Sequence, residues 1–167
     1  MPISRSNIVY LVLLITAPLF AQNQFRLNKI KSFNVGVVVD PNASIKEKGL
    51  NRGIEVEYVK QIYTRISYTS FPTLTYGYTD LTGASGVNFT SGRHNRIRYY
   101  TGGRFGYIQR STTKYPTVGL EAGIDYKINS FLLVGVRATN DKRNDFKIYR
   151  TTPEMRQSGF IKVGLTL

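Results

Sequence analysis

The sequence predicts an all-β protein, an antiparallel up-and-down transmembrane β-barrel of about eight strands. Three observations predict it. Apolar and polar residues alternate with a period of two through most of the chain beyond residue 31, and no comparable window keeps an apolar helical stripe. The connections between alternating segments are long at one end and tight at the other, as in outer-membrane barrels. The chain opens on a segment built like an export leader.

Arg5 is the only charged residue among the first 21, and the apolar run Ile8–Phe20 follows it. Leu19-Phe20-Ala21 offers a small residue for cleavage before the polar Gln22-Asn23-Gln24. The run is shorter than the ~20 apolar residues of a spanning helix, and Pro18 breaks it. The expected organisation is therefore a signal peptide over 1–21, a short N-terminal segment over 22–31 and a barrel over 32–167.

Strands are expected near 32–40, 52–60, 62–71, 78–90, 96–110, 117–128, 131–141 and 157–167. The first alternates Phe33, Val35, Val37 and Val39 with Asn34, Gly36, Val38 and Asp40. The second sets Ile54, Val56 and Tyr58 against Glu55, Glu57 and Val59, and Lys60-Gln61 after it is poor turn chemistry. In the fifth, Ile97, Tyr99, Phe105 and Tyr107 oppose Arg98, Tyr100, Arg104 and Gly106. The sixth is the clearest: Val118, Leu120, Ala122, Ile124, Tyr126 and Ile128 alternate with Gly119, Glu121, Gly123, Asp125 and Lys127. The seventh opposes Leu132, Val134, Val136 and Ala138 to Gly135, Arg137 and Thr139, and the last opposes Ile161, Val163, Leu165 and Leu167 to Phe160, Lys162, Gly164 and Thr166. Long connections are expected at Pro41–Asn51, Pro72–Gly77, Ser111–Pro116 and Lys142–Gln157; short ones at Lys60-Gln61, Ser91–Asn95 and Asn129-Ser130.

A soluble barrel would alternate as well, with its apolar face inward; a membrane barrel inverts the faces. The polar face favours inversion, because it is rich in glycine and carries both signs of charge. Glu55, Glu57, Glu121 and Asp125 stand against Arg65, Arg98, Arg104, Arg137 and Lys162, and buried charges must pair, so these nine are candidate partners in the barrel lumen. Tyr58, Tyr68, Tyr78, Tyr99, Tyr107 and Tyr126 crowd the strand ends, where an amphipathic ring suits a lipid interface.

Together with segments such as Tyr100-Thr101-Gly102-Gly103-Arg104-Phe105-Gly106, Gly119-Leu120-Glu121-Ala122-Gly123-Ile124-Asp125-Tyr126 and the closing Ser158–Leu167 stretch, this pattern resembles the small outer-membrane β-barrel domain proteins of OmpA/OmpX size. The resemblance covers about residues 32–167. It implies an address in the outer membrane of a Gram-negative type of cell envelope and no single activity. Such barrels usually end in an aromatic residue, whereas this chain ends in Leu167.

Composition narrows the chemistry. The 167 residues contain no cysteine and one histidine, which excludes disulfides, a thiol nucleophile and imidazole-rich metal centres. His94, in the turn Ser91–Arg96, is the one general base of the usual kind; the sequence reads it as a solvated turn residue, with a lipid-modifying barrel enzyme as the minor alternative. Glu121 and Asp125, four residues apart on one strand face, lie ~13 Å apart, too far for a glycosidase pair. No catalytic, cofactor-binding or metal-ligating set emerges. The net charge of +13 is carried partly by Lys46, Lys48 and Arg52 beside the first long loop and by Lys142, Arg143, Lys147, Arg150 and Arg156 near the last. Presented at a cell surface, these would meet lipopolysaccharide phosphates. There is no basic helix or RNA-binding strand motif, so nucleic acid is not an expected partner. The functional expectation is a non-enzymatic outer-membrane barrel, structural or accessory to a larger envelope complex. The competing class is an exported soluble barrel holding an apolar ligand.

Overall fold

A computed structural model describes residues 26–27, 31–41, 50–72, 77–91, 95–145 and 155–167. A two-residue strand β1 (Arg26–Leu27) precedes eight longer ones: β2 (Ser32–Asp40), β3 (Asn51–Val59), β4 (Ile62–Phe71), β5 (Tyr78–Ser91), β6 (Ile97–Arg110), β7 (Thr113–Lys127), β8 (Leu132–Arg143) and β9 (Met155–Thr166). All pairings are antiparallel. Each of β2–β9 pairs with its neighbour in sequence, and β9 closes on β2 from Asn34↔Thr166 to Val39↔Ile161, so the eight strands form a closed barrel without a free pair of edge strands. β1 pairs with Thr90 and Phe89, occupying the part of β5 that runs past the start of β4 at Ile62↔Val87.

The alternation becomes two opposed surfaces. Along β3 every second residue from Asn51 to Val59, except Gly53, is buried, while Ile54, Val56 and Tyr58 are exposed. Along β7 the buried Glu121 and Asp125 alternate with the exposed Leu120, Ala122, Ile124 and Tyr126. Phe105 and Leu120, both 68% exposed, stand on the outer wall.

The tight ends show how weak turn sequences are held. Lys60-Gln61 is supported from the next hairpin: the buried Asn88 side-chain amide donates to the carbonyls of Lys60 (2.8 Å) and Gln61 (3.0 Å). Asn129 caps the β7–β8 turn, its Oδ1 accepting from the amides of Phe131 (3.0 Å) and Leu132 (2.7 Å).

One connection departs from the sequence expectation. The stretch 111–116 is not a long loop; β6 and β7 are joined by the two-residue turn Ser111-Thr112, directly after the rung Arg110↔Thr113, with Ser111 at φ 51°. Pro116 misleads here. It pairs with Tyr107 on one side, but the ladder to β8 begins only at Thr117↔Arg143, so the missing N–H falls where the strand has one neighbour. Tyr78 is a second correction: it is buried and points into the barrel rather than to the interface. The alternating piece around Phe146, Ile148 and Arg150 lies outside the described residues, as does His94.

Candidate functional site

The side chains that alternation turns inward make a charged core. All nine lumen candidates are buried, and eight of them (Glu55, Glu57, Arg65, Arg98, Glu121, Asp125, Arg137, Lys162) form one connected tier of four carboxylates and four cations. Lys162 on β9 places its Nζ 2.9 Å from Glu55, 3.2 Å from Glu57 and 3.3 Å from Asp125. Arg98 donates to Glu57 at 2.7 Å and also to Asp125. Arg137 donates to Glu55 at 2.7 Å, across 82 residues of sequence. Arg65 pairs with Glu121, which also accepts the Tyr63 hydroxyl at 2.6 Å. Apolar and aromatic surface fills what the ion pairs leave. The Arg65 guanidinium lies 5.4 Å from the Tyr63 ring and 5.2 Å from the Tyr100 ring, and these two rings meet edge to face at 5.3 Å.

Arg104, the ninth candidate, belongs to a second tier toward the long loops. It pairs with Asp141 at 3.1 Å and Asp80 at 3.6 Å. Above it Arg110 and Arg143 both reach Asp145, at 2.7 and 2.8 Å, and Arg156 approaches Asp40 at 3.8 Å. Three guanidiniums, those of Arg110, Arg143 and Arg156, stack on Tyr78 at 5.3, 4.5 and 5.3 Å. Sequence reasoning missed the acids of this tier, because Asp80 and Asp141 lie close to predicted loops. It also took Arg143 and Arg156 for surface-loop residues. Both are instead drawn inside, because β8 runs on to Arg143 and β9 begins at Met155, which keeps odd positions of β8 and even ones of β9 facing inward. Arg52 and Lys142 are exposed on the outer face near the long loops; Lys46, Lys48, Lys147 and Arg150 lie outside the described residues.

Among the described residues eight basic and eight acidic side chains thus pair in the interior. From totals of 23 and 10, this leaves 15 basic and two acidic side chains for everything else. Glycines make room for the packing: a Cβ on Gly123 would strike the Tyr100 ring, and one at Gly135 would strike the Asp125 carboxylate. A cavity of about 20 Å³ at the tight-turn mouth, lined by Ser32, Asn34, Arg98 and Asp125, is room for about one water. An interior of ion pairs is not the apolar-lined cavity that a soluble ligand-binding barrel requires. No group of three or more metal-type ligands occurs among the described residues.

No protein-family model matches the sequence, and no curated protein matches it. Among solved structures the chain is similar to a de novo designed transmembrane β-barrel, at 16% identity with a TM-score of 0.58, over 85% of this chain and all of that one. It is also similar to the N-terminal β-barrel domain of Pseudomonas aeruginosa OprF, at 13% identity with a TM-score of 0.52, over 86% of this chain and all of that one. The likeness is one of fold: a closed, eight-stranded antiparallel barrel of the transmembrane type.

Proposed function

We propose that the chain is a non-enzymatic outer-membrane barrel, exported by a leader over 1–21, whose residues 32–167 span the membrane as a structural or accessory subunit of an envelope complex. The observation that carries this reading is the inversion of faces: sixteen acidic and basic side chains pair inside, while valine, isoleucine, leucine and aromatic side chains cover the outside. Soluble proteins rarely expose so continuous an apolar wall. The exposed Arg52 and Lys142 would face lipopolysaccharide phosphates beside the long loops. The role is one of anchoring and contact rather than conduction, since arginines and tyrosines fill the eight-stranded interior.

Fractionation tests it. After expression with its leader, the protein should resist a carbonate wash, need detergent for extraction and run as a shifted band when unboiled. Recovery in the soluble periplasm would refute the membrane reading. A loss of some lipid-modifying activity on His94→Ala would refute the non-enzymatic one.

A further inference from the structure

With eight acids committed to the interior, the outer rims are left with cations. At the tight-turn end Lys31, Lys60 and Arg96 are exposed, Lys127 is half-buried beside Asp125 at the mouth cavity, and among the described residues no exposed acidic side chain accompanies them. Lys31 and Lys60 are set apart by register. Each stands one residue beyond the last rung of the β2–β3 ladder, Ser32↔Val59, with Lys60 already in the turn, and both are exposed next to the outward pair Phe33↔Tyr58. Like charges placed opposite one another across a strand pair repel. On the other side of β2 the Leu167 amide donates to the Phe33 carbonyl at 2.8 Å, and neither lysine forms an ion pair among the described residues.

Above the two lysines the outer wall is apolar without interruption: Phe33 and Tyr58, then Val35 and Val56, then Val37 and Ile54, all exposed. At ~6.6 Å for every two residues, that wall extends about 20 Å from the lysines, the scale of an acyl chain. A phosphate between two ammonium groups, continuous with an apolar strip, has the chemistry of a phospholipid rather than of a free anion.

We propose that Lys31 and Lys60 clamp the phosphate of an anionic glycerophospholipid in the leaflet at the tight-turn end, with the Phe33–Tyr58 pair at the boundary between headgroup and acyl chains. The inference rests on the membrane reading above. The rings set the depth of the lipid and the two cations relieve their repulsion on the phosphate.

The test uses the full mature chain folded in detergent, with phosphatidylglycerol or phosphatidylcholine added and lipid retention read by native mass spectrometry. The wild type should retain phosphatidylglycerol over phosphatidylcholine. Lys31→Gln/Lys60→Gln should weaken that retention roughly thirtyfold, on the order of fivefold per lysine, while Lys31→Arg/Lys60→Arg keeps it. The opposite-rim variant Lys114→Gln should leave retention near wild type, where Lys60→Gln alone lowers it about fivefold. Unchanged binding in the Gln/Gln variant, equal loss in the opposite-rim variant, or full displacement by inorganic phosphate would each overturn the proposal. The unboiled band shift of every variant shows separately whether the barrel is folded. A chain that stays soluble without detergent would instead sink the membrane reading itself.

Discussion

Replacing Lys162 by Met removes one ammonium from among three carboxylates without removing side-chain volume. The loss leaves Glu55, Glu57 and Asp125 with fewer cations at 2.9–3.3 Å, and the tier with four acids against three bases. Arg98 still donates to both oxygens of Glu57, at 2.9 and 2.7 Å, and to Asp125, and Arg137 still holds Glu55 at 2.7 Å, so the penalty is not that of three orphaned charges. Removing one partner from a buried pair costs about 3–5 kcal/mol. That range is expected here, because the lysine is 2% exposed and water cannot replace it. Glu57→Gln in the same background restores three acids and three bases. The double variant should therefore recover part of the loss, with a coupling of about 1–3 kcal/mol. The assay is urea unfolding of the protein inserted in vesicles, read by the unboiled gel band and extrapolated linearly. A cost below about 1 kcal/mol for Lys162→Met would be that of an exposed pair, and strict additivity in the double variant would mean the charges do not sense one another; either result refutes the connected tier.

Three further outcomes follow from the same geometry. Gly123→Ala should destabilise by about 1–3 kcal/mol, because its Cβ meets the Tyr100 ring, whereas Gly103→Ala, with open space around its Cβ, should be close to neutral in the same unfolding series. Leu120→Arg, on the outer wall midway along β7, should cost about 2–4 kcal/mol in vesicles; no cost would put that face in water. Beyond the end of β8, burial alone would raise the Asp145 carboxyl, but hydrogen bonds and charge from Arg143 and Arg110 outweigh it and hold it below its ordinary value of 3.8. A carboxyl depressed in the folded state stabilises fully above that ordinary value and loses its contribution as pH falls beneath it. Proteolysis near Asn144 should accordingly speed up on acidification below about pH 4, and Asp145→Asn should remove that dependence.

Parity along a strand is the strongest message in this sequence, and it is enough to place Glu55, Glu57, Arg65, Arg98, Glu121, Asp125, Arg137 and Lys162 on one face. It needs no knowledge of neighbours, since successive side chains must point to opposite sides. Which charges meet is another matter. Arg137 finds Glu55 and Lys162 finds Glu57 only because closure sets β9 between β2 and β8, and register around a barrel is a property of all the strands together. The long-loop end is read least well. Pro116 resembles a terminator, yet it sits inside β7 where β8 has not begun, and this hides the Ser111-Thr112 turn. Arg143, Arg156 and Tyr78 are polar residues next to loops, and nothing local distinguishes a solvated arginine from one folded back onto a ring.

The charged interior also bears on how the barrel shuts. Lys162 lies on the last strand, while the acids it holds come from β3 and β7, Glu57 among them 105 residues back. Until β9 slots into place, the sheet β2–β8 carries four carboxylates against three cations in this tier. A slip of the final strand by one residue would turn Lys162 toward the acyl chains and bring Ile161 or Val163 to face three carboxylates. The tier therefore works as a latch that accepts a single key: correct register and ring closure arrive together, and an ajar or misthreaded barrel is left with an acid surplus that only the proper strand can quench.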